Sequence, residues 1–236
     1  MSDDRKQVPA ASHSAEIDAF LRDLQRAPAV RPGGGRGRLM FALDATASRE
    51  PTWDRACRIQ GEMFEATAAL GGLDVKLVYY RGFNECKASR WMANAADLHR
   101  AMRAVSCIGG ETQIERVLAQ AIAENQKQKL GALVFVGDAM EENVDPLCQL
   151  AGELGLKGVP IFLFHEGGDP IAAKAFQQMT KLSRGAYLHF DLASADRLRD
   201  LLGAVAVYAA GGYRALTAYG EKKGGEVLRL TSQLHG

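Results

Sequence analysis

From residue 38 onward the hydrophobic positions alternate between two periods. Short apolar runs at 39–43, 75–80, 133–136, 159–164 and 187–190 read as buried strands. Between them, apolar residues recur at helical spacing. Trp53, Ala56, Ile59, Met63, Thr67 and Leu70 make one stripe, opened by Pro51 and stopped by Gly71-Gly72. Leu98, Met102 and Val105 make a second; Ile114, Val117, Leu118, Ala121 and Ile122 a third. Leu147, Leu150, Ala151 and Leu154, then Phe176, Met179 and Leu182, then Leu198, Leu201, Leu202 and Val205 complete the set. A turn over 81–85 leads to a short run at 87–92, expected to pair antiparallel at the edge of the sheet. Pro160 falls near the start of its strand, where proline is tolerated. Strand alternating with helix predicts a doubly wound α/β domain, its mainly parallel sheet covered by helices on both faces and carrying one antiparallel edge strand.

The flanks follow other rules. Residues 1–14 are polar, and Ile17, Phe20, Leu21 and Leu24 predict a short amphipathic helix ended by Pro28. Arg31-Pro32-Gly33-Gly34-Gly35-Arg36-Gly37-Arg38 is a basic linker. Its glycines are not a phosphate loop, because no Gly-Lys-Ser/Thr follows and the stretch precedes a strand. The expected organisation is an N-terminal tail, helix and linker over 1–37, a domain over 38–210, and a weakly patterned C-terminal tail over 211–236.

Charge adds mainly exclusions. With 29 basic and 28 acidic residues, the chain offers no electrostatic reason to bind nucleic acid or an anionic membrane. The N-terminus lacks the apolar region of a secretory signal, and the apolar stretch 201–210 is too short to span a bilayer, so a cytoplasmic location is expected. Cys57, Cys86, Cys107 and Cys148 lack CxxC spacing and His partners, which predicts four free thiols.

Three stretches carry candidate chemistry. Asp44-Ala45-Thr46-Ala47-Ser48 directly follows the first strand. Gly109-Gly110-Glu111-Thr112 precedes a helix, and Asp138 ends the strand 133–136. Each alone suits a turn or a helix cap. Together they offer an all-oxygen shell from three loops, which hard divalent cations prefer. Parallel sheets bind ligands beyond the carboxyl ends of their strands, where the strand order reverses. If the strands ending at Asp44 and Asp138 are neighbours, both carboxylates rim one crevice. His165 reads as a hydrogen-bonding loop residue; His99, His189, Tyr79, Tyr80, Arg81 and Trp91 read as packing or surface residues.

Asp-x-Thr-x-Ser, Gly-Gly-x-Thr and the strand-ending Asp, in this order, resemble the von Willebrand factor A (VWA) domain and its metal-ion-dependent adhesion site (MIDAS). The similarity covers about residues 38–210 and is nearer to intracellular bacterial VWA proteins than to secreted adhesive ones. It implies a VWA/Rossmann-like fold. It also implies Mg²⁺ or Mn²⁺ held directly by Thr46 and Ser48, directly or through water by Thr112, and mostly through waters by Asp44 and Asp138. Thr46 replaces the usual Ser but keeps the hydroxyl. The implied function is non-enzymatic. The cation is presented to an Asp or Glu of another protein by an intracellular adaptor or assembly factor, with ATPase or stress-response assemblies as candidate partners. Asp138 is followed by Ala139 where many members have Gly, and Glu141 and Glu142 come next, either as solvated loop residues or as occupants of the open metal position.

Two other readings stay open. One is a metal-free VWA-like scaffold working through its terminal segments. The other is a haloacid dehalogenase-like phosphatase with Asp44 as nucleophile. That chemistry needs a second Asp where this chain has Thr46, and a hydroxyl cannot do its acid–base work near neutral pH.

Overall fold

The computed structural model describes residues 36–59, 72–190 and 195–223. Six strands form one sheet in the order β3-β2-β1-β4-β5-β6. They are β1 (Gly37–Asp44), β2 (Leu73–Arg81), β3 (Glu85–Met92), β4 (Ala132–Gly137), β5 (Ile161–Glu166) and β6 (Ala186–Phe190). All pairings are parallel except β2 with β3. The helices are α1 (Glu50–Ile59), α2 (Ala95–Arg103), α3 (Ile114–Lys127), α4 (Val144–Leu156), α5 (Pro170–Ser183) and α6 (Ala195–Lys223). A 3-10 turn, Ala47–Arg49, joins β1 to α1.

The period-2 alternation of the strands divides the core in two. Leu39, Phe41 and Leu43 of β1 pack with Trp53 of α1, Leu98 and Met102 of α2, and Leu201 to Ala209 of α6. Met40 and Ala42 point the other way, into the layer of Val117 and Leu118 of α3, Leu147 and Ala151 of α4, and Phe176 and Met179 of α5. Every residue of β1, β4 and β5 is buried, as strands covered on both faces must be. Helix starts are capped by short polar side chains: Asn94 accepts from the Asp97 amide at 2.9 Å, and Asp169 from that of Ile171 at 2.8 Å.

The doubly wound sheet with its antiparallel edge strand is the arrangement expected from the hydrophobic pattern. Some boundaries differ. The first helix is preceded by the 3-10 turn, Val105 lies beyond α2, and Val159 and Pro160 lie before β5. The stretch 211–223, expected to be tail, is helical as the continuation of α6, with Leu216 buried and an interruption at Gly212 (φ 68°). The helix lies hard against the sheet. A Cβ on Gly37 would fall 2.4 Å from the Ala210 Cα, and one on Gly131 would fall 2.5 Å from the Ala209 carbonyl oxygen. The N-terminal helix, the linker up to residue 35, Met63, Thr67, Leu70, Gly71 and residues 224–236 lie outside the described residues. Cys86, Cys107 and Cys148 are free thiols, and the side chain of Cys57 lies outside what is described. No helix of the described residues is long and apolar enough to cross a membrane.

Candidate metal centre

Strand order reverses at β1: β2 lies on one side of it and β4 on the other, both parallel to it. Asp44 ends β1, and Asp138 directly follows β4. The condition for a shared crevice is therefore met, because β1 and β4 are hydrogen-bonded neighbours with Leu43 opposite Val136.

Asp44 is fully buried. Its Oδ1 accepts from the Thr46 amide at 2.7 Å, which curls the chain after the strand. Its Oδ2 accepts from the Tyr80 hydroxyl at 2.9 Å. Burial raises the proton affinity of the Asp44 carboxyl; the Thr46 bonds oppose this, and the Asp138 charge adds to it. The turn brings the Thr46 and Ser48 hydroxyl oxygens to 3.0 Å from each other.

The loop carrying Thr112 is tied to the same edge. The Ile108 amide donates to the Ala45 carbonyl at 3.1 Å, and the Gly82 amide donates to the Ile108 carbonyl at 3.3 Å. Gly110 lets two backbones touch here, since a Cβ on it would fall 2.1 Å from the Gly82 carbonyl oxygen. Neither backbone can yield cheaply, so Gly110→Ala is expected to cost about 1–3 kcal/mol and to displace the Thr112 loop. A shift in the urea midpoint at unchanged m-value would show the stability loss; an unshifted midpoint would mean that the loop relaxes freely.

Thr112 and Glu141 are locked reciprocally. The Thr112 amide donates to Glu141 Oε2 at 3.0 Å, and the Glu141 amide donates to the Thr112 Oγ1 at 3.0 Å. Glu142 accepts from the amides of Ile114 at 2.6 Å and Glu115 at 3.0 Å. These glutamates are thus not simply solvated. Their carboxylates satisfy the free amides at the start of α3, where the helix dipole favours an anion. The chain itself thus supplies an anion to this helix start.

Asp138 keeps Oδ1 buried with no hydrogen-bond partner. Its carbonyl oxygen lies 3.3 Å from the Nε2 of His165, whose Nδ1 lies 2.8 Å from the Tyr187 hydroxyl. His165 is therefore a buried strand residue rather than a loop residue, and burial lowers its pKa. Three residues at this edge carry no signal in the linear motif: Tyr80, Arg49 and Glu166. The alternation of β2 could have marked Tyr80 as inward-facing, because it pairs with Asp44 in the register. Arg49 and Glu166 have no such signal, since they meet only across the sheet.

The donor set fits a hard divalent cation: two converging hydroxyls, a third on an adjoining loop, a hydrogen-bonded carboxylate and an orphaned buried carboxylate oxygen. Among the described residues no group of three or more His, Cys, Asp or Glu side chains is placed to hold a metal, so a shell here rests on hydroxyls.

No family model matches the sequence, and no curated protein matches it. Solved structures do. The SpRpn10 VWA domain superposes with a TM-score of 0.55 at 13% identity, over 75% of this chain and 97% of that one. Proximal thread matrix protein 1 from the mussel byssus, with a zinc-occupied MIDAS motif, gives 0.54 at 13% identity over 74% of this chain. This chain spans only 46% of the mussel protein. Manganese-loaded TRAP protein of Plasmodium vivax gives 0.53 at 13% identity, over 71% of this chain and 73% of that one. At such identities the likeness speaks for architecture alone, and on that ground the chain has the VWA fold.

Proposed function

We propose that this chain is a protein-binding module that works through Mg²⁺ or Mn²⁺. The observation that carries the reading is the 3.0 Å meeting of the Thr46 and Ser48 hydroxyls at the point where strand order reverses, beside the orphaned Asp138 Oδ1. Similarity to VWA structures holding zinc and manganese supports it.

Thr46 and Ser48 would hold the ion directly, Thr112 directly or through water, and Asp44 and Asp138 through waters. When bound, the cation supplies a Lewis-acidic position for the carboxylate of a partner's Asp or Glu. Neutral hydroxyls leave its charge only partly compensated, which keeps that position attractive. Tyr80 orients Asp44, and Glu141 fixes Thr112. The site is read as binding without catalysis, because Thr46 stands where a phosphatase of this layout needs a second carboxylate. The proposed setting is the cytoplasm, as an adaptor or assembly factor; an ATPase or stress-response assembly is the class of partner suggested by the motif resemblance.

Thermal melts with and without Mn²⁺ or Mg²⁺ test the metal. A site with a dissociation constant near 1 mM should add roughly 1.4 kcal/mol at about 10 mM metal. The gain is expected in the wild type and should vanish in Asp44→Ala. A wild type indifferent to both metals would sink the reading and favour the metal-free scaffold.

A further inference from the structure

The crevice contains a cation of the chain's own. Arg49 closes the 3-10 turn after β1 and is 2% exposed, among the largest fully buried side chains. Its Nη1 meets the carboxylate of Glu166, the last residue of β5. Its Nε and Nη1 are both buried without a hydrogen bond, so the pairing with Glu166 is one of charge. In the strand order β1-β4-β5 the pair spans two strand spacings, about 10 Å, across the end of β4. Asp138 stands at that end with its orphaned Oδ1. The guanidinium also feels the site electrostatically: burial opposes its charge, and the carboxylates of Asp138 and Asp44 favour it.

Arginine cannot shed its proton here, so the charge is permanent. One guanidinium thus faces the carboxyl groups of Asp44, Asp138 and Glu166, and the crevice holds a fixed positive charge before any divalent ion enters. The carboxylates are arranged around the guanidinium and do not converge on one point, in keeping with the lack of a three-acid metal cluster among the described residues.

We propose that Arg49, anchored by Glu166, is the resident counter-cation of the crevice and holds down its affinity for Mg²⁺ or Mn²⁺. This rests on the metal reading of Asp44, Thr46, Ser48, Thr112 and Asp138. In metal-free protein Arg49 screens the buried carboxylates and keeps the crevice closed-packed. A divalent ion must enter against its charge. Metal affinity and metal-free stability are therefore set in opposition by one side chain.

The test compares the wild type with Arg49→Met, Arg49→Gln and Arg49→Lys. Free Mn²⁺ is followed by electron paramagnetic resonance during titration, and metal-free melting is measured separately. Arg49→Met should melt lower without metal yet bind Mn²⁺ at least about tenfold more tightly, given the strength of a unit charge at these separations. Arg49→Gln should tighten binding likewise and serves if the Met variant does not fold. Arg49→Lys should stay near the wild type. Lower stability with unchanged Mn²⁺ affinity would make Arg49 merely structural and overturn the inference, as would weaker binding in the neutral variants. If only the neutral variants bind, the inference stands and metal use by the wild type falls. If no variant binds up to about 10 mM, a range that would reveal even a millimolar site, both fall.

Discussion

Phe135→Ala is expected to lower the free energy of unfolding by about 3–5 kcal/mol, the usual range for deleting a buried phenylalanine ring. Phe135 is 1% exposed near the middle of β4. It stacks on Tyr80 with ring centroids 6.3 Å apart and meets Phe176 edge-on at 5.8 Å. Gly137 is bare partly for its sake, since a Cβ there would fall 2.9 Å from the Phe135 ring. Helices α3, α4 and α5 all contribute to this layer, so the hole cannot close by moving one side chain. The loss should reach the candidate metal centre as well. Tyr80 would lose the ring that steadies it, and its hydroxyl orients Asp44. Urea denaturation at unchanged m-value measures the first effect, and the size of the Mn²⁺-induced melting shift measures the second. A loss under about 1 kcal/mol would mean that this layer repacks around the hole.

Glu124→Ala is expected to cost about 3 kcal/mol or more, because it removes the buried carboxylate that a cationic cluster shares. Glu124, in α3, is 2% exposed. Its carboxylate meets Lys76 Nζ at 3.0 Å, Lys127 Nζ at 2.9 Å and Arg38 Nη2 at 3.6 Å, and accepts from the Trp91 indole at 3.1 Å. The Arg38 guanidinium also lies over the Trp91 ring, 3.9 Å from its centroid. Burial alone would raise the Glu124 pKa, but the bonds from Lys127 and Lys76 outweigh it and bring it to about 2. An unfolded glutamate titrates near 4.3, so the folded value is depressed. The group's stabilisation is therefore fully present above about pH 5 and is lost as pH falls toward 2, a change of about 3 kcal/mol. Denaturation at pH 7, 5 and 3 should show this fall in the wild type and a flatter profile in Glu124→Gln. Parallel profiles would show that the cations do not hold the carboxylate ionised.

The candidate centre divides along the same line as the fold. Asp44, Thr46 and Ser48 were legible because one strand end and one turn place them, within five residues of chain. Thr112 and Asp138 were legible as residues beside other elements, and the nearness of Asp138 to Asp44 depended on which strands pair. Glu141 and Glu142 are loop residues, as expected, but their bonds to the amides of residues 112, 114 and 115 were not legible, because those partners lie almost thirty positions earlier. Similarly, the stretch 211–223 has a weak pattern and an interrupting glycine, yet Leu216 is buried in the layer with α1 and α2. Tertiary burial there outweighs the local propensity that suggested a tail.

By itself, the sequence determined the alternation of strand and helix, the two-faced burial of the central strands, and the clustering of oxygen donors at strand ends. Those features depend on local periods of 2 and 3.6 residues and on side chains a few positions apart. Only the tertiary structure decided that β4 lies beside β1, that Tyr80 holds Asp44, and that Arg49 reaches Glu166 across the end of β4. The physical reason is that parallel neighbours are joined through long crossovers, so contacts between their ends link residues far apart in the chain. A buried arginine and its carboxylate partner leave no periodic trace: charge compensation acts through space, and nothing in residues 44–49 alone indicates which strand supplies the answering carboxylate.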